Sequence, residues 1–546
     1  MENCTLNQPK LNIRRYDLVF SIFALVFATL VCYARGIFHP PVVDLTSDAA
    51  NIASFAAALD HPELFAGDSA LADRGVAEVY VAFHVDATRL LKPHIGNYGT
   101  AFAALLWPHI FLYMIAFYIL GLAFLRHRGW ATALTLANLV LVKGPRDTAW
   151  GYFKDPLPRM SHSIVFAVLI ALIWVLRRKP FWWWTVCLAA GLALYVHPVS
   201  TPAMGAMLFG AICALMPREY SVKEKLGILL SCAVAFSAPL IPFSLTFLRH
   251  TPASVVEGDP SLTQIASILE ERFTGHYLLP SRTVFEYITS VPALPIIAVG
   301  LFGLVFCLRS REQETLQAGK FFVGLFLGLI FASVFVPIFF EIAFPGISFA
   351  MFKGELPRPL RYIVPLCYMA SLLALKSFIS ESTPQRARLL LVSTAALAVC
   401  LFAFAIGPRA QRALSTLVEG QKKVEEVRTL VAAVSTMVPP RETIAAVMED
   451  PLVLRYAALR PLAFARKDVP STVDLDRALQ WQRNHRELQR LLKTEDTKRR
   501  VDGSINWARN LKSKYLVIEL PREGERLVAQ NEEILFQNSR FILLSL

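Results

Sequence analysis

The sequence predicts a polytopic α-helical membrane protein of about eleven transmembrane helices, followed by a small C-terminal extracytoplasmic α/β domain. Three observations predict it. Hydrophobic residues make up 55% of the 546 and the mean hydropathy is +0.46, which is too apolar for a soluble globular chain. Apolar segments approaching the roughly 20 residues that a helix needs to cross a bilayer recur throughout residues 1–407. From Pro408 to Leu546 the composition turns into that of a soluble domain.

The clear spans are 17–35, 101–125, 181–197, 201–216, 226–248, 287–308, 321–341, 361–379 and 389–407. Segment 161–176 is a little short, and 130–142 is shorter still, either a tilted span or a re-entrant piece sheltered by its neighbours. Arg14 and Arg15 before the first span resemble the start of a signal peptide, but no small-residue cleavage site follows, so the segment reads as a retained span. Arg126 and Arg128, Arg177-Arg178-Lys179, Arg218 with Lys223 and Lys225, Arg309 with Arg311 and Lys320, and Arg386 with Arg388 alternate as one set of short loops. With the basic N-terminus they mark the cytoplasmic side, which places the C-terminal region outside. Trp182-Trp183-Trp184 reads as an interfacial aromatic belt.

On the outer side, the first loop (36–100) is acidic. Ile52, Phe55, Ala56 and Leu59 recur at helical spacing, so Asp48, four residues before Ile52, points to the packed side, and Asp44 sits just ahead of the helix. A carboxylate aimed at protein is costly unless it is paired or used. Helix punctuation accounts for the same acids: Ser47 or Asp44 as an N-cap, Asp60 and Glu63 as a capping box around His-Pro, and Asp68 as the cap of a further helix. The predicted spans hold no Asp or Glu in their interiors, and ten of the eleven histidines, all but His127, fall on the outer side or in the C-terminal region. A proton- or sodium-coupled transporter usually carries acids near the midplane, so transport is demoted.

Two outer loops break the charge rule. One holds Lys143, Arg146, Lys154 and Arg159, and the other reads Lys353-Gly-Glu-Leu-Pro-Arg358-Pro-Leu-Arg361. Guanidinium groups placed there suit an anionic ligand such as phosphate or pyrophosphate; pairing with the acidic first loop or with lipid headgroups explains them equally well. Arg358 and Arg361, stiffened by Pro357 and Pro359, are the best candidates. His197-Pro198 ends one span and is first of all a turn residue. The net charge of +13 is scattered over span ends rather than gathered in a stripe, so nucleic acid is set aside. No CxxC occurs among the eight cysteines and seven of them lie in apolar stretches, so neither a disulfide framework nor a zinc site is indicated.

In 408–546 an amphipathic helix over about 410–437 leads into a strand at Thr443 to Met448, a helix around Trp481, a strand at Tyr515 to Leu520 and a hairpin through Ile534 and Phe541. No glycine-rich phosphate loop is present, so nucleotide binding is not indicated.

This layout resembles the GT-C superfamily, membrane glycosyltransferases that take sugars from polyprenyl-phosphate donors. More narrowly, Asp48 through Leu-Asp-His-Pro-Glu-Leu-Phe-Ala-Gly-Asp68 is similar to an "LDP-LFPGD" pattern in a group of uncharacterised bacterial membrane proteins related to that superfamily. His197-Pro198, Leu356-Pro-Arg-Pro-Leu-Arg361 and the run with Val453-Leu-Arg-Tyr, Arg460-Pro-Leu, Lys467-Asp468 and Trp481 resemble that group too. The resemblance implies a bacterial inner-membrane enzyme that works at the outer face on a polyprenyl-phosphate sugar and an envelope glycan or lipid acceptor. Asp44 or Asp48 would be the general base, and Arg358 and Arg361, helped by Lys143 or Arg146 and near His197, would hold the lipid phosphate. Many members carry adjacent or once-spaced acids where these two are four apart, which leaves open the identity of the base and the need for a divalent metal. A lipid-linked-sugar flippase and a non-catalytic assembly protein on the same scaffold are the alternatives.

Overall fold

The computed structural model describes residues 15–34, 37, 45, 47–72, 83–142, 149–151, 156–250, 268, 279–290, 293–343, 356–380, 424–468, 475–522, 524 and 532–546. Asp44, Lys143, Arg146 and the expected span 389–407 lie outside them.

Among the described residues, six helices are long and apolar enough to cross a membrane: Arg15–Tyr33, Tyr98–Leu125, Pro158–Val175, Val222–Thr246, Gln313–Ala343 and Arg358–Ile379. The segment expected at 287–308 is instead a pair, Pro280–Thr289 and Ala293–Arg309, meeting at 77°, and makes a seventh span if the pair crosses as one. Pro292, which has no N–H to continue a helix, stands between them. Segments 181–197 and 201–216 form the shorter apolar helices Pro180–Tyr195 and Thr201–Leu215, and 130–142 becomes the twelve-residue helix Arg128–Leu139. Leu18, Val19, Ile22, Val26 and Leu30 along the first helix, and Leu226, Leu230, Val234, Ile241 and Leu245 along Val222–Thr246, are exposed. Apolar surface of this extent belongs in lipid. The protein is membrane-embedded.

Small residues set the closest helix contact. A Cβ at Gly210 would stand 2.1 Å from the Gly324 carbonyl oxygen, and one at Gly328 2.2 Å from that of Ala206. Helices Thr201–Leu215 and Gln313–Ile330 therefore touch backbone to backbone, in the four-residue spacing that suits packing in lipid. Trp183, read as part of an aromatic belt, is fully buried and donates its indole N–H to the Leu176 carbonyl at 3.0 Å. Its neighbours Trp182 and Trp184 are exposed as a belt requires.

The bundle has two charged ends. At one, Asp17 accepts from Arg128 (2.8 and 2.9 Å) and from Tyr118 (2.8 Å), and Glu314 pairs with Arg126 at 2.5 Å and Arg177 at 2.9 Å. The other end lies about 27 Å away along the 18-residue helix Pro158–Val175, and there the first loop and the C-terminal region meet.

The C-terminal sheet contains β1 (Ile444–Val447), β2 (Tyr515–Glu519), β3 (Glu533–Gln537) and β4 (Phe541–Ser545) in the order β1-β2-β4-β3. β1 and β2 are parallel and the remaining pairs antiparallel. A parallel pair needs a crossover, supplied by helices Leu475–Lys493 and Thr497–Asn510. Side chains alternate as strands demand. Ala445, Val447, Leu516, Ile518, Ile542 and Leu544 face those two helices, and Ala446, Val517 and Leu543 join the core shared with the bundle. The strands fall where the apolar runs of 443–448, 515–520 and the closing hairpin place them; of the expected helix 410–437, residues 424–437 are described and helical.

Candidate functional site

The first loop forms the helix Ser47–Asp60, whose buried face is Ala49, Ala50, Ile52, Ala53, Ala56 and Ala57. Alanines at helical spacing let the short helix Val453–Tyr456 lie close. Tyr456 accepts from the Leu45 N–H at 3.1 Å, and its ring fills the place where a Cβ at Gly99 would stand.

Arg455 and Asp68 lock this junction. Asp68, fully buried, accepts from the N–H groups of Ala70 (3.0 Å) and Leu71 (2.9 Å), so it does cap locally. It also accepts from Arg455 at 2.8 and 2.6 Å and from the Leu462 N–H at 2.8 Å. Arg455 reaches Asp468 as well, at 2.6 and 2.8 Å, and Ser69 donates to the same carboxylate. One guanidinium thus bridges two buried carboxylates from opposite ends of the chain. The capping box expected at Asp60 and Glu63 does not form: His61 precedes the turn Pro62–Leu64 without a side-chain cap. Asp60 instead accepts from Arg89 (2.7 Å) and from the Tyr98 hydroxyl (2.9 Å), and Glu63 lies 3.8 Å from His61.

The residue before Asp468 is Lys467, and the locked junction aims it at Asp48. Asp48 sits in the first turn of its helix, where exposed N–H groups favour a negative charge. Its carboxylate accepts from Lys467 at 3.0 Å and from Arg159 at 3.0 Å. Burial opposes ionisation here, but Lys467, Arg159 and Arg358 outweigh it and hold the carboxyl well below the usual range. The side chain stays 38% exposed, so a ligand has access to it.

Arg358 and Arg361 belong to a 3-10 turn, Arg358–Tyr362, that opens on Pro357. With three residues per turn, positions i and i+3 share a side, so the spacing Arg-Pro-Leu-Arg brings both guanidinium groups to one place. Arg361 is fully buried; one N–H pair donates to Ser200 at 2.8 Å, and the group lies over the Tyr362 ring at 5.4 Å. Its Nε and Nη1 find no acceptor, and no carboxylate pairs with it among the described residues. Arg159 and Arg358 add charge of the same sign nearby.

His197 bonds the same Ser200 hydroxyl at 2.8 Å. Arg361, Arg358 and Arg159 stand near it, and it serves through hydrogen bonding. His162 continues the chain to Tyr362 at 2.6 Å and Thr201 at 3.4 Å. On the same helix, Ser161 stands between His84 (2.8 Å) and His109 (3.0 Å).

Of the sequence candidates, Asp48, Arg358, Arg361 and His197 come together. Arg159 and Lys467 complete the cluster and were not among them. A signal for Arg159 exists, since Leu157-Pro-Arg159 and Leu356-Pro-Arg358 are the same tripeptide and each opens a helix at this end. Among the described residues no three His, Cys, Asp or Glu side chains converge as a metal-ligand group. Fold and site together define a membrane-embedded helical bundle with a cation cluster around one accessible carboxylate at its end, an arrangement suited to holding an oxyanion. No family model matches this chain, and no curated protein does.

Proposed function

We propose that the protein is an integral membrane glycosyltransferase of GT-C type that takes a sugar from a polyprenyl-phosphate donor at the outer face of a bacterial inner membrane. In this reading about eleven spans cross the bilayer, the N-terminus is cytoplasmic and the 408–546 domain lies outside. The observation that carries it is Arg361, a fully buried guanidinium whose Nε and Nη1 are unanswered and which pairs with no carboxylate among the described residues, set beside Arg159 and Arg358. A buried cation left in this state is expensive, and a phosphate group answers both its charge and its donors. The acceptor oxygen attacks the anomeric carbon and forms the new glycosidic bond; the bond to the donor phosphate breaks, and its electrons stay on the phosphate, where the cations stabilise them. Asp44 or Asp48 takes the acceptor's proton.

The test is transfer of labelled sugar from a polyprenyl-phosphate donor by the protein in detergent. Arg361→Ala and Asp48→Ala are expected to lower the rate at least a hundredfold, the scale of one lost oxyanion donor or general base. Wild-type rates in both variants defeat the reading.

A further inference from the structure

We infer that Asp48 is a built-in counter-ion of the phosphate site, which an incoming phosphate group displaces from Arg159 and Lys467. The inference rests on the anion-binding part of the function proposed above and adds how that site is kept when empty.

Three features carry it. Both Asp48 oxygens are engaged, one by each cation, at 3.0 Å. These cations come from separate parts of the chain, Arg159 from the start of Pro158–Val175 and Lys467 from the C-terminal region, and Asp48 bridges them. Arg361, beside Arg159 and Arg358, has its Nε and Nη1 buried and still unanswered. A phosphate group that satisfies Arg361 enters a field set by Arg159 and Arg358, and its charge competes with the carboxylate for the shared cations.

Displacement has a chemical consequence. A carboxylate clamped by two cations is a weak base, because its proton affinity is suppressed by the charges that hold it. When the phosphate draws those charges away, the proton affinity of Asp48 rises toward that of an ordinary carboxylate. Asp48 then becomes a competent base only with donor in place, which protects the empty site from unproductive proton transfer.

The experiment measures binding of inorganic phosphate, and separately of farnesyl phosphate, to the full chain in detergent micelles by calorimetry. Asp48→Asn removes the competing charge and is expected to bind one or both roughly fivefold or more tightly than wild type, the equivalent of one partly exposed ion pair. Asp48→Ser, a residue favoured at a helix start, serves if the first variant does not fold. Tightening for farnesyl phosphate alone assigns the site to a lipid headgroup; tightening for both assigns it to the phosphate group itself. Equal or weaker binding by both variants, or no binding of either probe by any form, overturns the inference. Sugar transfer is not read in this measurement. Tightening in a protein that never transfers sugar defeats the reaction proposed above and leaves the counter-ion standing.

Discussion

Arg455 and Arg361 are both buried arginines of this chain, and they are held in opposite ways. Arg455 spends its donors on two carboxylates at 2.6 to 2.8 Å, and the receiving oxygens are further satisfied by backbone N–H groups. Arg361 has one hydroxyl, one aromatic ring and neighbours of its own sign. Folding alone accounts for the first arrangement, because every buried charge has its answer inside the protein. It does not account for the second, which is stable chemistry only with something added. The contrast extends to their surroundings. Beside Arg361, Arg358 likewise carries its charge among cations, whereas no side-chain atom of Asp68, Arg455 or Asp468 lacks a hydrogen-bond partner.

The largest expected effect tests the satisfied cluster. Arg455→Ala leaves Asp68 and Asp468 facing each other without a cation, which costs about 3–5 kcal/mol and shows as a large fall in the unfolding midpoint in micelles. Because Lys467 adjoins Asp468, the same variant loosens the contact with Asp48. A midpoint near wild type would mean that the junction holds without its charges.

Next in size is a pH effect on the unsatisfied side. Burial lowers the His84 pKa from its ordinary 6.5 to about 4, so the ring is neutral in the folded protein. The unfolded chain takes up the proton first as pH falls. Stability from this group is therefore full above about 6.5, declines on acidification and reaches its full loss below about 4, a drop on the order of 3 kcal/mol. His109 and His162 are buried too, so the His84 share is the difference between wild type and His84→Gln in unfolding midpoints at pH 7, 5.5 and 4. His84→Gln should make the acid limb shallower by that amount; an unchanged slope would assign the acid sensitivity elsewhere.

Arg361→Met is the direct counterpart of Arg455→Ala. Removing a cation that has no carboxylate leaves nothing charged behind, so stability should stay within about 1 kcal/mol of wild type or rise, while phosphate binding is lost. A penalty as large as that of Arg455→Ala would show that Arg361 is structural after all.

How far these two regions were legible in the sequence follows from the range of their interactions. The strands of the C-terminal domain announce themselves as short apolar runs between helical stretches, and Arg358-Pro-Leu-Arg361 by breaking the charge rule at a span end. Both are local patterns. Asp68 reads from sequence as the cap of a further helix, and among the described residues it caps a turn through Ala70 and Leu71; what sequence did not reveal is its partner Arg455, 387 residues away. Lys467 meets Asp48 across 419 residues, and no spacing rule reaches that far. Arg159 belongs to the first of the two basic loops that break the charge rule, and its place between Asp48 and Arg361 is what singles it out from Lys143, Arg146 and Lys154 there.

The smallest expected effect falls between the two extremes. Asp60 accepts from Arg89 and Tyr98 in a geometry as good as that around Arg455, at 2.7 and 2.9 Å, yet Arg89 is 38% exposed and Asp60 26%. Water is present to take over whatever the pair gives up, so Asp60→Asn should cost below about 1 kcal/mol, and added salt should shrink the difference further. If Asp60→Asn instead proved as damaging as Arg455→Ala, hydrogen-bond geometry rather than exclusion of water would govern these clusters. The unanswered donors of Arg361 would then lose their meaning as the mark of a ligand site.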